Sequence, residues 1–375
     1  MHAVQHGLAE RLAAWRAPDA PGSGPCRLVP LDESNRTQWS ALLDRLPYQP
    51  VGYDLPNGDY QHTYFASAFP LYRRLDCLVF WQQQAIALWP LGAFGDVQNL
   101  RLSSHLNGAL GITPPLLGEQ LSGKQEKALN RAWLGTVAAL CQDFPIAGLD
   151  FLAPPADDTL PHWHSLLMTF GATYGGQHRL IVDLTLPEVE YHRQIRKSYK
   201  ALINGAAKLW RVELDTTGDA ENFAAFQHLH EAVAGRKTRP EATWQRQFDA
   251  IKGQTAFALY LRDAAGALVG ASLFNCSRDE AYYAVGAYRR ELFDQPLAHL
   301  NVFEAIRHAR SRGLRRFILG QRTYPGDVPA PSGKEEQIAF FKEGFATGLQ
   351  VQPLLRIAGN RLAEAMSIHQ PSGSG

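Results

Sequence analysis

The chain has 375 residues, of which 45% are hydrophobic and 19% are charged, and its formal net charge is +1. This composition is that of an ordinary folded protein and excludes an intrinsically disordered chain. No apolar run reaches the roughly 20 residues that a transmembrane helix needs, so no transmembrane segment is expected. The length exceeds one compact core, and two domains are therefore expected.

Cysteine usage and the first residues both indicate a cytoplasmic protein. The four cysteines are spread singly, without the spacing of a disulfide framework or a metal site. Residues 1–16 mix acidic and basic side chains and lack the features of a signal peptide. Residues 18–25 (PDAPGSGP) are predicted to be a flexible linker, and residues 371–375 (PSGSG) a disordered tail.

The first half of the chain alternates strand and helix patterns. Gly52 to Pro56 is predicted to be a turn-rich break. The predicted elements are a strand at Cys26–Pro30, a helix through Trp39 to Leu46, a hairpin of Leu75–Phe80 and Ala85–Leu91, a helix from Ser122 to Leu140, a strand at Ile146–Leu152 and a short helix at Leu166–Gly171.

The second half repeats this order. One long helix is predicted from Glu190 to Leu209, and a later helix is predicted to be capped by Asp294 and ended by Gly313. The other predicted elements are strands at Leu180–Leu184, Trp210–Leu214, Thr255–Arg262, Leu268–Ser277, Ala281–Tyr288 and Arg315–Gly320, and helices at Ala220–Ala234, Thr243–Ile251 and Lys334–Gly344.

Both halves therefore share one architecture, with antiparallel strands centrally and a parallel crossover late. The pattern predicts an α+β protein of two tandem domains, each with a mixed central sheet flanked by helices. The predicted limits are 1–24 for a flexible amino-terminal segment, 25–178 and 179–360 for the two domains, and 361–375 for a tail.

The helix predicted from Glu190 to Leu209 has two distinct faces. Ile195, Tyr199, Leu202, Ile203, Ala206 and Leu209 recur at helical spacing and are predicted to be buried. Arg196, Lys197 and Lys200 lie on the other face, where like charges three and four residues apart repel one another. A phosphate-bearing partner would relieve that repulsion. A simple solvated face is an equally open interpretation.

A second candidate site follows the strand Arg315–Gly320. A long, proline-rich loop (Gln321–Gly333) leads into a helix that carries Phe340, Phe341 and Lys342. Ligands commonly bind at the carboxyl ends of strands in open sheets. A lysine there can stabilise a developing oxyanion or hold a phosphate. The helical spacing of Ile338, Phe341 and Phe345 is equally compatible with core packing.

Other chemistries lack sequence support. The histidine pairs at 162 and 164 and at 228 and 230 have no third ligand, so no metal site is predicted. There is no nucleophile elbow, phosphate-binding P-loop or dinucleotide fingerprint. No DNA partner is expected.

The order and spacing of these pieces resemble the FemAB-like branch of the GNAT acyltransferase superfamily. The resemblance covers roughly Leu180 to Leu355. It is carried by IRKSYK (195–200), the strand pair from Ala267 to Val285, the helix and strand from Asn301 to Gly320, and IAFFKEGF (338–345). It implies two tandem GNAT-like domains and transfer of an acyl or aminoacyl group to an amine, in a cell-envelope precursor or amino sugar.

The resemblance also assigns roles to residues. It places Phe341 and Lys342 at the transfer site, and directs Arg196, Lys197 and Lys200 toward a phosphorylated ligand. Substrate binding is further expected of Tyr283, Gln321, Arg322 and Tyr324. The fold implies a bulge in the strand Ala281–Tyr288 that exposes backbone N–H groups. The general base stays open between Glu304, Glu335 and the substrate itself.

The resemblance leaves the acyl donor open. Domains that bind acetyl-CoA carry a glycine-rich loop whose N–H groups hold the pyrophosphate. Here the corresponding residues 289–296 (RRELFDQP) contain no glycine and end in proline. No tightly bound cofactor is expected, and aminoacyl-tRNA is favoured over acyl-CoA as co-substrate. The expected partners are a phosphorylated small-molecule or glycan-precursor acceptor, with tRNA as a further candidate. A binding protein without catalysis remains an alternative.

Overall fold

The structure, a computed structural model, describes residues 2–18, 23–154 and 161–368. Half of the predicted linker 18–25 is described, and residues 19–22 and the predicted tail 371–375 lie outside the described residues. The described part mixes helices with sheets, which confirms the predicted α+β class.

The helices of the described residues are α1 (His2–Ala14), α2 (Arg36–Asp44), α3 (Leu55–Ala68), α4 (Gly123–Asp143), α5 (His162–Thr169), α6 (Glu188–Gln194), α7 (Lys197–Leu209), α8 (Ala220–Ala234), α9 (Glu241–Lys252), α10 (Leu297–Ser311), α11 (Gly333–Glu343) and α12 (Gly359–Ile368). The strands are β1 (Cys26–Pro30), β2 (Leu71–Arg74), β3 (Cys77–Trp81), β4 (Gln84–Trp89), β5 (Gly92–Gly95), β6 (Leu100–Ser103), β7 (Leu116–Leu117), β8 (Gly148–Leu152), β9 (Thr173–Asp183), β10 (Arg211–Asp215), β11 (Ala256–Arg262), β12 (Leu268–Cys276), β13 (Glu280–Tyr288), β14 (Arg316–Arg322) and β15 (Gly348–Ala358).

The chain forms two compact units. Unit 1 contains Met1–Pro47, Gln61–Gly176 and Gln352–Gly375, and unit 2 contains Tyr48–Tyr60 and Gln177–Val351. The segment Tyr48–Tyr60 is thus part of unit 2, although more than 100 residues separate it from Gln177 along the chain. The order of elements in the sequence does not predict this. The domain limits 25–178 and 179–360 stay predictions.

Unit 1 is built around a tryptophan-rich core. Strands β1, β3, β4 and β7 form one antiparallel sheet, and β2, β5 and β6 form another. The ring of Trp133 on α4 packs edge-on against Trp89 and Phe151, and all three side chains are fully buried. The long helix α4 begins at Ser122, whose side chain and that of Gln125 form a capping box.

Unit 1 also contains a group of polar residues around the buried Asp76, here called the Asp76 cluster: His62, Tyr72, Arg74, Asp76 and His105. Asp76 is 4% exposed. Its carboxylate accepts from His62 Nε2 at 2.9 Å, from Arg74 Nε at 2.7 Å and from the Leu91 amide at 2.8 Å. His62 Nδ1 contacts the Tyr72 hydroxyl. Burial alone would raise the pKa of Asp76, but the charge and hydrogen bond of His62, with Arg74, hold it at about 2.

Unit 2 is a twisted sheet with helices on both faces. Strands β10, β11, β12 and β13 are antiparallel neighbours, β13 and β14 are parallel, and β14 and β9 are antiparallel. This confirms the predicted order of antiparallel central strands and a late parallel crossover. Both faces of the strand β11 are buried, because Phe257 and Leu259 join the core with α7 and α10 while Tyr260 joins the core with α8 and α9.

Three sequence predictions for these elements were wrong. The turn-rich break at Gly52–Pro56 contains the start of α3, whose Pro56 falls in the first helical turn, where proline is tolerated. The single helix Glu190–Leu209 is broken into α6 and α7, because Ile195 and Arg196 have extended ψ angles. Asp294 does not cap α10; Pro296 holds that position without a side-chain hydrogen bond.

Burial on α7 differs in part from the prediction. Tyr199, Ile203 and Ala206 are buried as predicted, but Leu202 is 36% exposed and Leu209 is 47% exposed. The prediction assumed one helix continuous from Glu190, whereas α7 begins only at Lys197. Among the described helices, none has the length and apolar character that crossing a membrane requires.

Candidate active site

The candidate site in unit 2 lies where two parallel strands separate. β13 and β14 are paired only through Glu280–Tyr282 and Arg316–Ile318. Beyond these residues the structure shows no backbone pairing between the two strands. The edges by which β13 and β14 pair are therefore unpaired in their carboxyl-terminal halves, and such edges can bind a ligand's polar groups.

A bulge in β13 begins at this point. Leu273 of β12 pairs with Val285, whereas the next residue, Phe274, pairs with Tyr283, so that Ala284 is the extra residue. A bulge of this kind bends the strand and leaves backbone groups outside the ladder. The bulge that was expected in this strand is confirmed.

Lys342 on α11 reaches the same point. Its Nζ lies 4.7 Å from the centre of the Tyr283 ring. Gly320 of β14 has φ +131°, and a Cβ built there would lie 3.0 Å from Lys342 Nζ. Glycine at 320 thus permits both the unusual backbone conformation and the close approach of the ammonium group. The helix that carries Lys342 begins with a capping box of Ser332 and Glu335.

Lys342 has no charge partner within the described part of the chain. Its ammonium group makes no hydrogen bond or ion pair there, and the ring of Tyr283 is the contact that faces it. Burial lowers its pKa from 10.5 to about 8. A half-buried lysine without a carboxylate partner is typical of functional sites rather than of stabilising ion pairs.

A buried network of hydroxyl and amide groups holds the Tyr283 side chain. The Tyr283 hydroxyl lies 3.4 Å from that of Tyr288 and 3.5 Å from Ser272 Oγ. Ser272 Oγ also contacts the Tyr288 hydroxyl at 2.5 Å and accepts from Asn301 Nδ2 at 3.2 Å. Burial raises the pKa of Tyr283, so its hydroxyl stays protonated at neutral pH.

Arg196 and Arg322 converge beside Lys342. Glu343 Oε2 lies 3.8 Å from Arg196 Nη2 and 3.2 Å from Arg322 Nε. Arg196 also donates to the Tyr199 hydroxyl at 3.0 Å, and its guanidinium lies 3.9 Å from the centre of the exposed Phe340 ring. The break between α6 and α7 places Arg196 here, because its backbone N–H donates to the Gly344 carbonyl at 2.9 Å.

The other predicted site residues divide into two groups. Tyr324 lies under the Arg322 guanidinium at 4.6 Å, and Gln321 donates to Gln177 at 2.8 Å. Phe341 packs edge-on against Phe345. Lys197 is exposed and Lys200 is half-buried on α7, and the structure shows no contact of either with the Lys342 region. All of these assignments to binding or catalysis remain predictions.

The sequence reasoning overlooked three residues that contact the site. Glu343 directly follows Lys342, and that adjacency is a signal that could have identified it. Tyr199 was assigned only to the core, yet its hydroxyl bonds Arg196 and the Phe341 carbonyl. His299 packs edge-on against Tyr199 at 4.5 Å, and burial together with Arg196 lowers its pKa to about 4. No short motif contains His299.

The two carboxylates considered as general bases have structural partners. Glu304 pairs with Arg307 at 2.9 Å, and Glu335 accepts from the Ser332 hydroxyl and amide at the start of α11. Across the described residues, no group of three or more histidine, cysteine or acidic side chains has the arrangement of a metal site.

Comparison with known proteins matches a family model to the part of the chain that contains much of the candidate site. Residues 190–327 match the sequence model of the acetyltransferase (GNAT) domain. No curated protein matches the chain significantly. Among solved structures, FemX is 12% identical, with a TM-score of 0.62 over 91% of this chain and 99% of FemX.

Two further solved structures have the same fold. The C-terminal domain (DUF2156) of a putative lysylphosphatidylglycerol synthetase from Agrobacterium fabrum is 12% identical, with a TM-score of 0.55 over 91% of this chain and 99% of that domain. L-PGS from Bacillus licheniformis is also 12% identical, with a TM-score of 0.54 over 87% of this chain and 92% of that one. At these identities the likeness is one of fold. The predicted resemblance to the FemAB-like branch, with tandem GNAT-like domains, is confirmed at that level.

Proposed function

We propose that this protein is an acyltransferase that moves an aminoacyl group from aminoacyl-tRNA to an amine of a cell-envelope precursor or amino sugar. The observation that carries the proposal is Lys342, a cation with no charge partner among the residues that the structure describes, at the point where β13 and β14 separate. The acetyltransferase domain match over residues 190–327 supports acyl transfer. The names FemX and lysylphosphatidylglycerol synthetase support an envelope-related acceptor.

In the proposed reaction the acceptor amine attacks the ester carbonyl carbon of the donor. A C–N bond forms, and the carbonyl electron pair moves to oxygen as a tetrahedral oxyanion. The Lys342 ammonium and free N–H groups near the Ala284 bulge stabilise that charge. When the intermediate collapses, the ester C–O bond breaks and the leaving hydroxyl takes the amine proton. With a pKa of about 8, Lys342 is mostly charged at pH 7.

The remaining predicted residues bind the substrate in this proposal. Arg196 and Arg322, with Lys197 and Lys200 on the adjoining helix, provide positive charge for phosphate groups. The ring of Tyr283 forms the floor beneath the Lys342 ammonium. Gln321, Tyr324 and Phe341 border the reacting groups from β14, the following loop and α11.

The loop before α10 favours a donor other than acyl-CoA. The amides of Leu292, Phe293, Gln295 and Leu297 donate to carbonyls within the loop itself. Those N–H groups are therefore committed, whereas a pyrophosphate site needs several free ones. Acyl-CoA remains the second candidate donor, because the Ala284 bulge frees backbone groups that can bind an extended amide chain.

The first test measures binding of aminoacylated tRNA against the same tRNA deacylated, with acetyl-CoA as competitor. Preference for the charged tRNA without competition from acetyl-CoA supports the proposal. Displacement by acetyl-CoA favours the second candidate. Absence of binding to either ligand contradicts both and favours a protein without catalysis.

The second test measures transfer of a labelled aminoacyl group by Lys342→Ala. Loss of one preorganised oxyanion donor costs about 10²- to 10³-fold in rate, while donor binding should persist. Lys334→Ala is the matched control, because Lys334 is exposed on the same helix. Unchanged turnover in Lys342→Ala would contradict the assigned role.

A further inference from the structure

A single carboxylate oxygen lies between two arginines at the site. Glu343 Oε2 is 3.2 Å from Arg322 Nε and 3.8 Å from Arg196 Nη2. The two arginines come from separate elements, the break between α6 and α7 and the end of β14. Guanidinium groups that converge from different elements on one oxygen form the arrangement that binds phosphoryl groups.

Glu343 fills that position poorly. Charge-assisted N–H···O bonds are usually about 2.7–2.9 Å long, and both of its contacts with the arginines are longer. Among the described residues, Arg322 Nε is buried and has no hydrogen-bond partner of proper geometry. The Arg196 group is fixed instead by the Tyr199 hydroxyl and the Phe340 ring. The N–H groups of the two arginines are therefore held in position, but Glu343 does not accept well-formed hydrogen bonds from them.

The charges are also unbalanced. Arg196 and Arg322 carry two positive charges against the one negative charge of Glu343, and Lys342, the preceding residue of α11, adds a further positive charge on the same helix. A phosphoryl group carries a charge of about −1.5 to −2 at pH 7 and offers three acceptor oxygens. It would give each guanidinium its own oxygen. The Glu343 side chain is 36% exposed, so it can rotate into water when displaced.

We infer that Glu343 occupies the position of a substrate phosphoryl group between Arg196 and Arg322, and that binding of this group displaces it. The inference rests on the proposed function, since it specifies the phosphorylated substrate of the same site. Glu343 then acts as a competitor: it keeps both arginines oriented in the free protein and weakens the binding of poorly matched anions.

The opposing interpretation is that Glu343 clamps the two arginines and has no competing role. The two interpretations predict opposite signs for Glu343→Gln. A competitor that loses its charge allows an anion to bind more tightly. A clamp that loses its charge releases both guanidinium groups, and the anion then binds more weakly.

The experiment is calorimetric titration of the full chain with inorganic pyrophosphate. Glu343→Gln should tighten binding about threefold to tenfold, the size expected of a partly exposed charge contact. The matched control is Glu336→Gln, which removes the same charge from the same helix. Weaker or unchanged binding in Glu343→Gln, or equal tightening in Glu336→Gln, overturns the inference. Equal thermal unfolding of the variants verifies that the fold is intact.

Two further titrations identify the source of the phosphoryl group. A nucleoside diphosphate represents an activated small-molecule acceptor, and a short single-stranded RNA represents the donor. Tightening toward either probe supports the inference and assigns the phosphoryl group to that substrate. If neither probe binds more tightly to Glu343→Gln, the inference fails. The role of Lys342 is tested separately by turnover, so the two failures are distinguishable.

Discussion

Asp76 in unit 1 is a buried charge and Lys342 in unit 2 is a half-buried one, and their surroundings are opposite. The Asp76 carboxylate accepts from His62, Arg74 and a backbone amide at 2.7–2.9 Å. Lys342 has an aromatic face beside it and no charge partner among the described residues. The pKa of Asp76 is held at about 2, toward its charged form, whereas the pKa of Lys342 is lowered to about 8, toward its neutral form.

This difference separates a structural polar cluster from a candidate active site. A buried charge with its partners in place is compensated within the protein, and removing a partner exposes the desolvation cost. A buried charge without partners costs stability in the free protein, and such costs are concentrated where a ligand later supplies the counter-charge. The two groups should therefore respond to mutation with opposite signs.

The largest effect is expected from Asp76→Asn in unit 1. Removing one charge of a buried, hydrogen-bonded pair costs about 3–5 kcal/mol, because His62 and Arg74 lose their common acceptor. Denaturant unfolding measures the change. Glu33→Gln is the control, since its carboxylate is 94% exposed and 3.9 Å from Arg36, and it should change stability by less than about 0.5 kcal/mol. Equal effects in the two variants would show that the Asp76 cluster is not compensated as described.

Lys342→Met should shift stability in the opposite direction. Methionine fills a similar volume without the cost of burying an ammonium group, so the variant should be more stable by roughly 2 kcal/mol. Lys334→Met, an exposed change on α11, should be nearly neutral. The same denaturant titration measures both. A destabilised Lys342→Met would mean that the lysine has a stabilising partner and would remove the contrast with Asp76.

The pH dependence of stability should show both groups in one wild-type profile. The folded pKa of Asp76 lies below its ordinary value of 3.8, so its contribution of roughly 2 kcal/mol is present above pH 3.8 and is lost as the pH falls toward 2. The folded pKa of Lys342 lies below 10.5. Between pH 8 and 10.5 this lysine binds more protons in the unfolded chain, so its own contribution to stability rises with pH. Cysteines such as Cys26 and Cys141, whose pKa burial raises above 9.0, contribute the opposite slope above pH 9.

Variants assign these two slopes. The difference between the wild-type and Asp76→Asn profiles should contain the acidic step and no alkaline one, and the difference between the wild-type and Lys342→Met profiles should contain the alkaline step and no acidic one. Thermal unfolding across the pH range measures the profiles. If the wild-type and Lys342→Met profiles run parallel between pH 8 and 10.5, the pKa of Lys342 is not lowered.

Local patterns in the sequence predicted most of the fold of unit 2. The three successive strands and the helix Ala220–Ala234 follow from apolar runs, turn residues and caps that lie within a few positions of each other. The helix from Glu190 was predicted as continuous because its apolar spacing continues across Ile195. Its break depends on a long-range contact, the Arg196 amide with the Gly344 carbonyl. Local periodicity does not contain that information.

The candidate site was likewise predictable only where it depends on residues close together in the sequence. A strand, a long loop and a helix in sequence, all of which are local, suggested Lys342 as a candidate, and the family resemblance assigned it to the transfer site. Its partners did not: Glu343 meets Arg196 and Arg322 only after α6, β14 and α11 assemble. Lys197 and Lys200 share the helical face that the sequence assigned to Arg196, but the break before α7 separates their orientation from that of Arg196. Charge patterns along one helix therefore predicted a basic region and not its arrangement.

The smallest predicted effect concerns the contact between Lys342 and Tyr283. A cation over an aromatic face gains about 0.5–1 kcal/mol, and this gain favours the charged lysine. Tyr283→Leu should therefore lower the pKa of Lys342 by about 0.4–0.7 units further, whereas Tyr283→Phe keeps the ring and should leave it unchanged. Competitive amine labelling across pH, read by mass spectrometry, measures this pKa.

The pair of variants separates the ring from its hydroxyl. The hydroxyl contacts of Tyr283 are 3.4 and 3.5 Å long, so their loss in Tyr283→Phe should affect stability by less than about 1 kcal/mol. If both variants shift the pKa of Lys342 equally, the hydroxyl network and not the ring face sets the charge of the lysine. The charge of Lys342 would then depend on the polar network of Tyr283, Ser272 and Asn301. Lys342 would resemble Asp76 in being compensated by polar groups, although those groups lie farther away.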